Sequence, residues 1–304
     1  MNPKVSIFTI PKPFSGPINV IQRNAIQSWL LLKPKCEIIL FGEEDGIAET
    51  AKEFNVRHIP DIKKNEFGTP FLDSVFNSAK EQANNNLLVY VNSDIILTDD
   101  FMRAVQQARK SFSSFLMVSQ RWNLDIKEAI QFDEINWKDK LKERLSKEGI
   151  GPVGTDCFVF PRRFQHGLLS FVVGRDGWDN WFLYRARSLG VPLIDGTQLI
   201  KAIHQNHDYF HYPEGIKRGK ELQKNLELLG SPFYAFSPKD ADWILTEQGL
   251  KKQKTFLAFR YCYRFLGSLP AFYPYFSLWL KVLSSPAWLL AIIVRVLQKT
   301  FFKK

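Results

Sequence analysis

Cysteine is scarce in this chain. Cys36, Cys157 and Cys262 are odd in number and far apart, which excludes a disulfide framework and fits a reducing compartment. Their spacing also matches no structural zinc pattern. A secretory leader is missing as well: Met1 to Lys4 run directly into the β-branched stretch 5–10, so export of the folded part is not expected. Acidic residues are absent after Glu247, where ten Lys and Arg follow. The 31 basic residues before that point are matched by 31 acidic ones, so the whole formal excess of +10 belongs to the last segment. A basic groove for nucleic acid is therefore not expected in the folded part. Internal repeats and low-complexity tracts are also lacking.

What remains is a globular composition, 45% hydrophobic and 14% aromatic, in 304 residues. That length suits one large α/β domain with an appendage. Strand and helix signals alternate through the first half. The apolar run 5–10 is followed by a Pro- and Gly-rich loop and a helical stretch over about 18–32. Strand 36–41, a helix to about 54, strand 56–59, a helix over about 70–84 and strand 87–91 come next. Such βαβ alternation predicts a mainly parallel sheet covered by helices on both faces. In the second half, 157–160 reads as a strand and Gly174-Arg175-Asp176-Gly177-Trp178-Asp179 opens a helix to about 189. The segment 122–149 is charged and helix-forming.

Ligands of open parallel sheets bind beyond the carboxyl ends of the strands. The residues there are polar or acidic: Glu43, Glu44 and Asp45 after one strand, and Asn92-Ser93-Asp94 after another. Asp99 and Asp100 read as helix caps. Asp94, three residues beyond an apolar strand, is placed to hold a hard divalent cation, since a diphosphate supplies the remaining oxygens.

Val91-Asn92-Ser93-Asp94 resembles the Asp-x-Asp motif of GT-A-fold glycosyltransferases of the nucleotide-diphospho-sugar transferase superfamily, with Asn92 replacing the first acid. The resemblance spans most of the first 210 residues and is family-2-like. It implies a Rossmann-like mixed sheet in a catalytic domain over 1–247, using Mn²⁺ or Mg²⁺ bound at Asp94. It also implies that Thr9 and Pro11 line the donor nucleotide, that Glu43 and Asp45 read its base and ribose, and that Gly68 lets a second loop approach it. Asn92 would contact ribose or metal-bound water. His204, with His207 second, would complete the metal site, their spacing suiting a turn or one helical coil that His211 follows. Asp156 would hold sugar or acceptor hydroxyls. Asp179, or else Asp176, would be the base that deprotonates the acceptor, and Trp178 would stack on a sugar face. The expected reaction is transfer from a nucleotide sugar, a uridine nucleotide being favoured, to a glycan or lipid-linked acceptor with inversion.

Two rivals stand beside it. A nucleotidyltransferase needs a Gly-rich basic phosphate loop, of which 11–16 is a poor version. A non-catalytic membrane-surface binding protein is the other, kept open by Asn92.

The segment 248–304 reads as a membrane-associating tail. Lys281 alone interrupts the uncharged stretch 265–294, leaving runs of sixteen and thirteen residues. Both fall short of the roughly 18 residues of a spanning helix. Trp279, Trp288, Tyr273 and Tyr275 suit a headgroup boundary, and the cationic flanks suit an anionic leaflet. A cytoplasmic protein lying against the inner face of a membrane is the corresponding expectation.

Overall fold

The computed structural model of the chain describes residues 4–165, 167–207 and 219–253. The first strand, β1 (Val5–Thr9), is buried along its whole length. Its neighbours pair with it in parallel on both sides, so both of its faces must be apolar. Helix α1 (Gly16–Leu30) carries Pro17 in its first turn, where a missing N–H costs nothing. Then follow β2 (Glu37–Phe41), α2 (Ile47–Glu53), β3 (Arg57–Ile59), α3 (Leu72–Gln82), β4 (Leu87–Val91), β5 (Ile95–Ile96) and α4 (Asp99–Ser111). Beyond them lie β6 (Leu116–Leu124), α5 (Trp137–Glu148), β7 (Ile150–Pro161), α6 (Trp178–Ser188), β8 (Leu193–Asp195) and β9 (Ala202–Gln205). Helix α7 (Lys220–Leu229) and the hairpin of β10 (Trp243–Thr246) and β11 (Gly249–Lys252) complete the described part.

The strands form one mixed, mainly parallel sheet in the order β11-β10-β8-β6-β7-β4-β1-β2-β3, with β9 paired to β5 and β6. The chain runs outward from β1 through β2 to β3, then returns to place β4 on the other side of β1. That reversal opens a crevice beyond the carboxyl ends of β1 and β4. Alternate strand residues feed two cores. Ile7, Leu40, Val89 and Val159 pack with Trp29 of α1 and Phe101 of α4 on one face. Phe8, Phe41, Tyr90, Phe158 and Phe160 pack with Phe76 of α3 and Phe182 of α6 on the other. This second core is dense in rings: Phe76 stacks on Phe160 at 5.7 Å and meets Phe182 edge-on at 5.6 Å. Each such pair contributes about 0.5–1.5 kcal/mol beyond its buried area.

The expected α/β architecture is observed, with four differences. The segment 122–149 is not helical throughout, because Trp122, Asn123 and Leu124 finish β6 and only Trp137–Glu148 is a helix. Strand β7 starts at Ile150, well before 157, and its first five residues are exposed, so no apolar run announces them. The His-rich segment is a strand up to Gln205, neither a turn nor a coil, because it fills the space between β5 and β6. Finally, the boundary placed after residue 247 cuts the β10–β11 hairpin, in which Trp243 pairs with Lys252, so the sheet extends to Lys252. His211 and the tail from 254 onward lie outside the described residues. Among the described residues no helix is long and apolar enough to cross a membrane.

Candidate active site

Helix α1 builds the site. Besides apolar Ile21, Ala25 and Trp29, it buries Gln22, Asn24 and Ser28, each 1% exposed. Buried polar side chains require partners, and these find theirs in the segment after β4. Ser93 Oγ donates to Gln22 Oε1 at 2.8 Å, Leu97 N donates to Ser28 Oγ at 3.1 Å, and Trp29 Nε1 donates to the Ile95 carbonyl at 2.9 Å. Asn24 Nδ2 donates to Gln205 Oε1 at 2.9 Å, and Gln205 Nε2 reaches the Asp94 carbonyl at 3.2 Å. Gln22 also clamps the loop after β1, accepting from Lys12 N at 2.7 Å and donating to Lys12 O at 2.8 Å. One helix thus fixes two loops at the crevice and the backbone of Asp94.

The pairing of β5 with β9 sets Ile95 opposite His204. As a result His204 Nε2 lies 3.5 Å and His207 Nε2 3.1 Å from Asp94 Oδ2. The three ligand atoms lie within 4.8 Å of one another. Burial raises the Asp94 carboxyl, but the two imidazoles overcome it and hold the group well below the usual carboxylate range. Among the described residues, Asp94 Oδ1 and His204 Nδ1 are buried without a partner. An orphaned carboxylate oxygen beside two converging imidazoles fits a divalent cation, and two nitrogens with one oxygen suit Mn²⁺ better than Mg²⁺. The three residues expected at the metal are therefore brought together.

Lys12 joins them without having been singled out for this role. Burial lowers its ammonium from the ordinary value, against the pull of Asp94. The sequence signal was available only as a lysine in the loop after the first strand.

Asp156, in β7, is 7% exposed. Its Oδ1 accepts from Asn92 Nδ2 at 2.8 Å, and its Oδ2 accepts from Arg121 Nη1 at 2.6 Å. Burial pushes its carboxyl up, Arg121 pulls it down and Asp94 adds to the rise. Expected against a sugar hydroxyl, Asp156 is instead an enclosed hub between two donors. The amide N–H₂ of Asn92 faces Asp156, where a second carboxylate would repel, which accounts for the amide in place of the acid. Arg121 was missed because it sits at a register shift in β6, a strand the sequence did not reveal.

Gly177 caps α6 at φ +107°, a conformation that favours glycine, and the turn puts Asp179 in the first helical turn. The loop before it is held by α7. Asn225 Nδ2 donates to the carbonyls of Val172 and Arg175 at 3.1 and 3.4 Å, and Glu221 pairs with Arg175. Burial, then the charges of Asp156 and Asp176, push the Asp179 carboxyl up to about 6 against the N–H donors of the helix start. Asp176 is exposed. Trp178 is corrected: its ring lies 4.8 Å from Phe158 and 5.4 Å from Tyr90, 7% exposed, so it is a core side chain and not a platform for a sugar.

The donor-side expectations fare unevenly. Thr9 is fully buried, as a central parallel strand requires, and Pro11 is buried too, so neither side chain is open to a nucleotide. Glu43 and Glu44 both accept from Lys64 Nζ at 3.0 Å, while Asp45 is exposed. Gly68 has φ +80°, a conformation that favours glycine, and open space around it.

No protein-family model matches the chain, and no curated protein matches it. Among solved structures it is similar to S. aureus TarS 1-349, at 13% identity over 95% of this chain and 78% of that one, with TM-score 0.44. It is also similar to the mannosyltransferase PcManGT from Pyrobaculum calidifontis, in complex with GDP-Man and Mn²⁺, at 13% identity over 98% and 81% of the two chains, TM-score 0.47. A third is M. tuberculosis glucosyl-3-phosphoglycerate synthase, at 12% identity over 76% and 82%, TM-score 0.43.

Proposed function

We propose that this chain is a metal-dependent glycosyltransferase that moves a sugar from a nucleoside-diphosphate donor to a hydroxyl acceptor with inversion. The observation that carries this reading is the convergence of Asp94, His204 and His207 at the crevice. Asp94, His204 and His207 would hold Mn²⁺ or Mg²⁺, which when bound supplies positive charge for the leaving diphosphate. Lys12 adds a second cation beside Asp94. Asp179 takes the proton from the acceptor hydroxyl, and a carboxyl near 6 is well matched to that task at neutral pH. Asp156, held by Arg121 and Asn92, stands among the groups whose charge raises the Asp179 carboxyl. The basic, aromatic composition of the tail favours an acceptor that is part of a glycan or lipid-linked saccharide near a membrane.

The test is turnover of a panel of sugar nucleotides, with uridine and guanosine donors foremost, each with and without Mn²⁺. One donor is expected to be consumed only with metal, and Asp179→Asn is expected to lose transfer by about 10²–10⁴-fold while still binding that donor. The reading fails if no sugar nucleotide is consumed under any metal condition, or if Asp179→Asn transfers as well as the wild type.

A further inference from the structure

At the end of the sheet opposite the crevice lies a concavity of about 890 Å³. Its basic residues are Lys4, before β1, Arg109 and Lys110, in the last turn of α4, and Arg162 and Arg163, after β7. Among the described residues no acidic one lines it; the other lining side chains include three successive asparagines, Asn84 to Asn86. Lys4, Arg109, Lys110 and Arg163 are exposed, whereas Arg162 is committed to the carbonyls of Ala83 and Glu81 at 2.7 Å each. The nearby Glu37 carboxylate is taken by Arg57 at 2.7 Å. Arg109 and Lys110 also complement the α4 carboxyl terminus, which accounts for those two and not for Lys4 and Arg163. A smaller cavity of about 500 Å³ beside α4 and α5 balances its basic lining residues with as many acidic ones. The concavity thus gathers basic side chains in a part of the chain, residues 1–247, whose formal charge sums to zero.

The chain leaves the described sheet at the same end. Trp243 and Lys252 pair at the close of the β10–β11 hairpin, and Gln253 N donates to the Asp242 carbonyl at 2.9 Å. The Trp243 ring meets Phe112, the C-cap of α4, at 5.5 Å, so this exit adjoins Lys110. The 51 residues after Gln253 carry eight Lys and Arg and no acid.

From this conjunction we infer that the basic end of the folded domain is itself a docking surface for the anionic headgroups of a phospholipid bilayer. Charge complementarity selects the occupant, and the cationic aromatic segment leaving beside it supplies continuity. Strand β4 alone separates this face from the crevice by about 17 Å, five residues at ~3.3 Å each. If the transferase reading holds, the crevice then opens away from the bilayer, and the acceptor is a saccharide chain that extends outward from it. The docking surface does not depend on that reading.

The experiment is co-sedimentation of the full chain with vesicles of phosphatidylcholine and phosphatidylglycerol at 70:30, and with phosphatidylcholine alone, at about 0.1 M salt. A triple variant, Lys4→Glu, Lys110→Glu and Arg163→Glu, is compared with a control of equal charge change, Lys52→Glu, Lys63→Glu and Lys142→Glu. The basic-end variant is expected to lose about tenfold or more in partition onto the anionic vesicles, with its melting temperature and any sugar-nucleotide turnover retained, while the control loses about threefold at most. Equal partition of the basic-end variant and the control overturns the proposal, as does wild-type binding that is indifferent to phosphatidylglycerol. Failure of turnover in every protein with the vesicle result intact would count against the transferase reading alone.

Discussion

At the scale of single residues, Asp179 links charge, stability and rate. Its folded-state carboxyl stands at about 6, above the ~3.9 of an unfolded aspartate. Between those values the folded chain holds the extra proton, so this group's contribution to stability falls as pH rises through that window. Asp179→Asn is therefore expected to be more stable than the wild type above pH 6, on the order of 2 kcal/mol, with the difference vanishing near pH 4. Thermal melts at pH 4 and 7.5 measure this, and equal melting temperatures at 7.5 would contradict it. In the wild type, kcat/KM should rise about tenfold per pH unit up to about 6 and then level. Asp94 was legible because it stands beyond the end of an apolar strand, and His204 and His207 through the resemblance, although His204 proves to lie within β9. Asp156 was legible as a site residue but not in its partners, because Arg121 comes from a strand whose second half carries no apolar alternation. Trp178 misled because an aromatic beside an acid reads alike on a surface and in a core.

At the scale of elements, α1 was visible as an amphipathic stretch, but its decisive feature is polar. Gln22 makes three hydrogen bonds, two to Lys12 and one from Ser93, at 1% exposure. Gln22→Ala strands the N–H and C=O of Lys12 together with the Ser93 hydroxyl, costing about 2–4 kcal/mol. It should also loosen both loops of the crevice, so donor KM should rise more than kcat falls. Chemical denaturation and a donor titration test the two parts, and a loss of stability with unchanged donor KM would show that α1 supports the core but not the site. Nothing in one sequence distinguishes such a face from a solvated one, because Gln22, Asn24 and Ser28 find their partners up to 181 residues away. The short strands β5 and β9 were hidden for the same reason: their existence depends on pairing between Ile95 and His204 across the fold.

At the scale of the whole molecule, charge and topology divide the chain into two ends, a crevice of acids and imidazoles and an opposite face of lysines and arginines. The parallel sheet and its two helical layers were readable because strands buried on both faces are apolar throughout. The close of the sheet was not, because Gly249 to Lys252 is polar and forms a strand only against β10. Chains ending at 253 and at 247 therefore differ in whether β10 keeps its partner β11. Ending the chain at 247 removes β11 from the side of β10 and should lower the melting temperature by roughly 5–10 °C relative to the chain ending at 253; equal melting of the two would show that the sheet does not need β11. The central claim, a divalent cation held by Asp94, His204 and His207, is tested most directly by titrating Mn²⁺ into the full chain without nucleotide while following the paramagnetic resonance signal of the free ion. One bound ion per chain is expected, with affinity reduced about tenfold or more in Asp94→Ala, His204→Ala and His207→Ala. Binding that survives all three substitutions unchanged, or no binding by the wild type, would contradict the account.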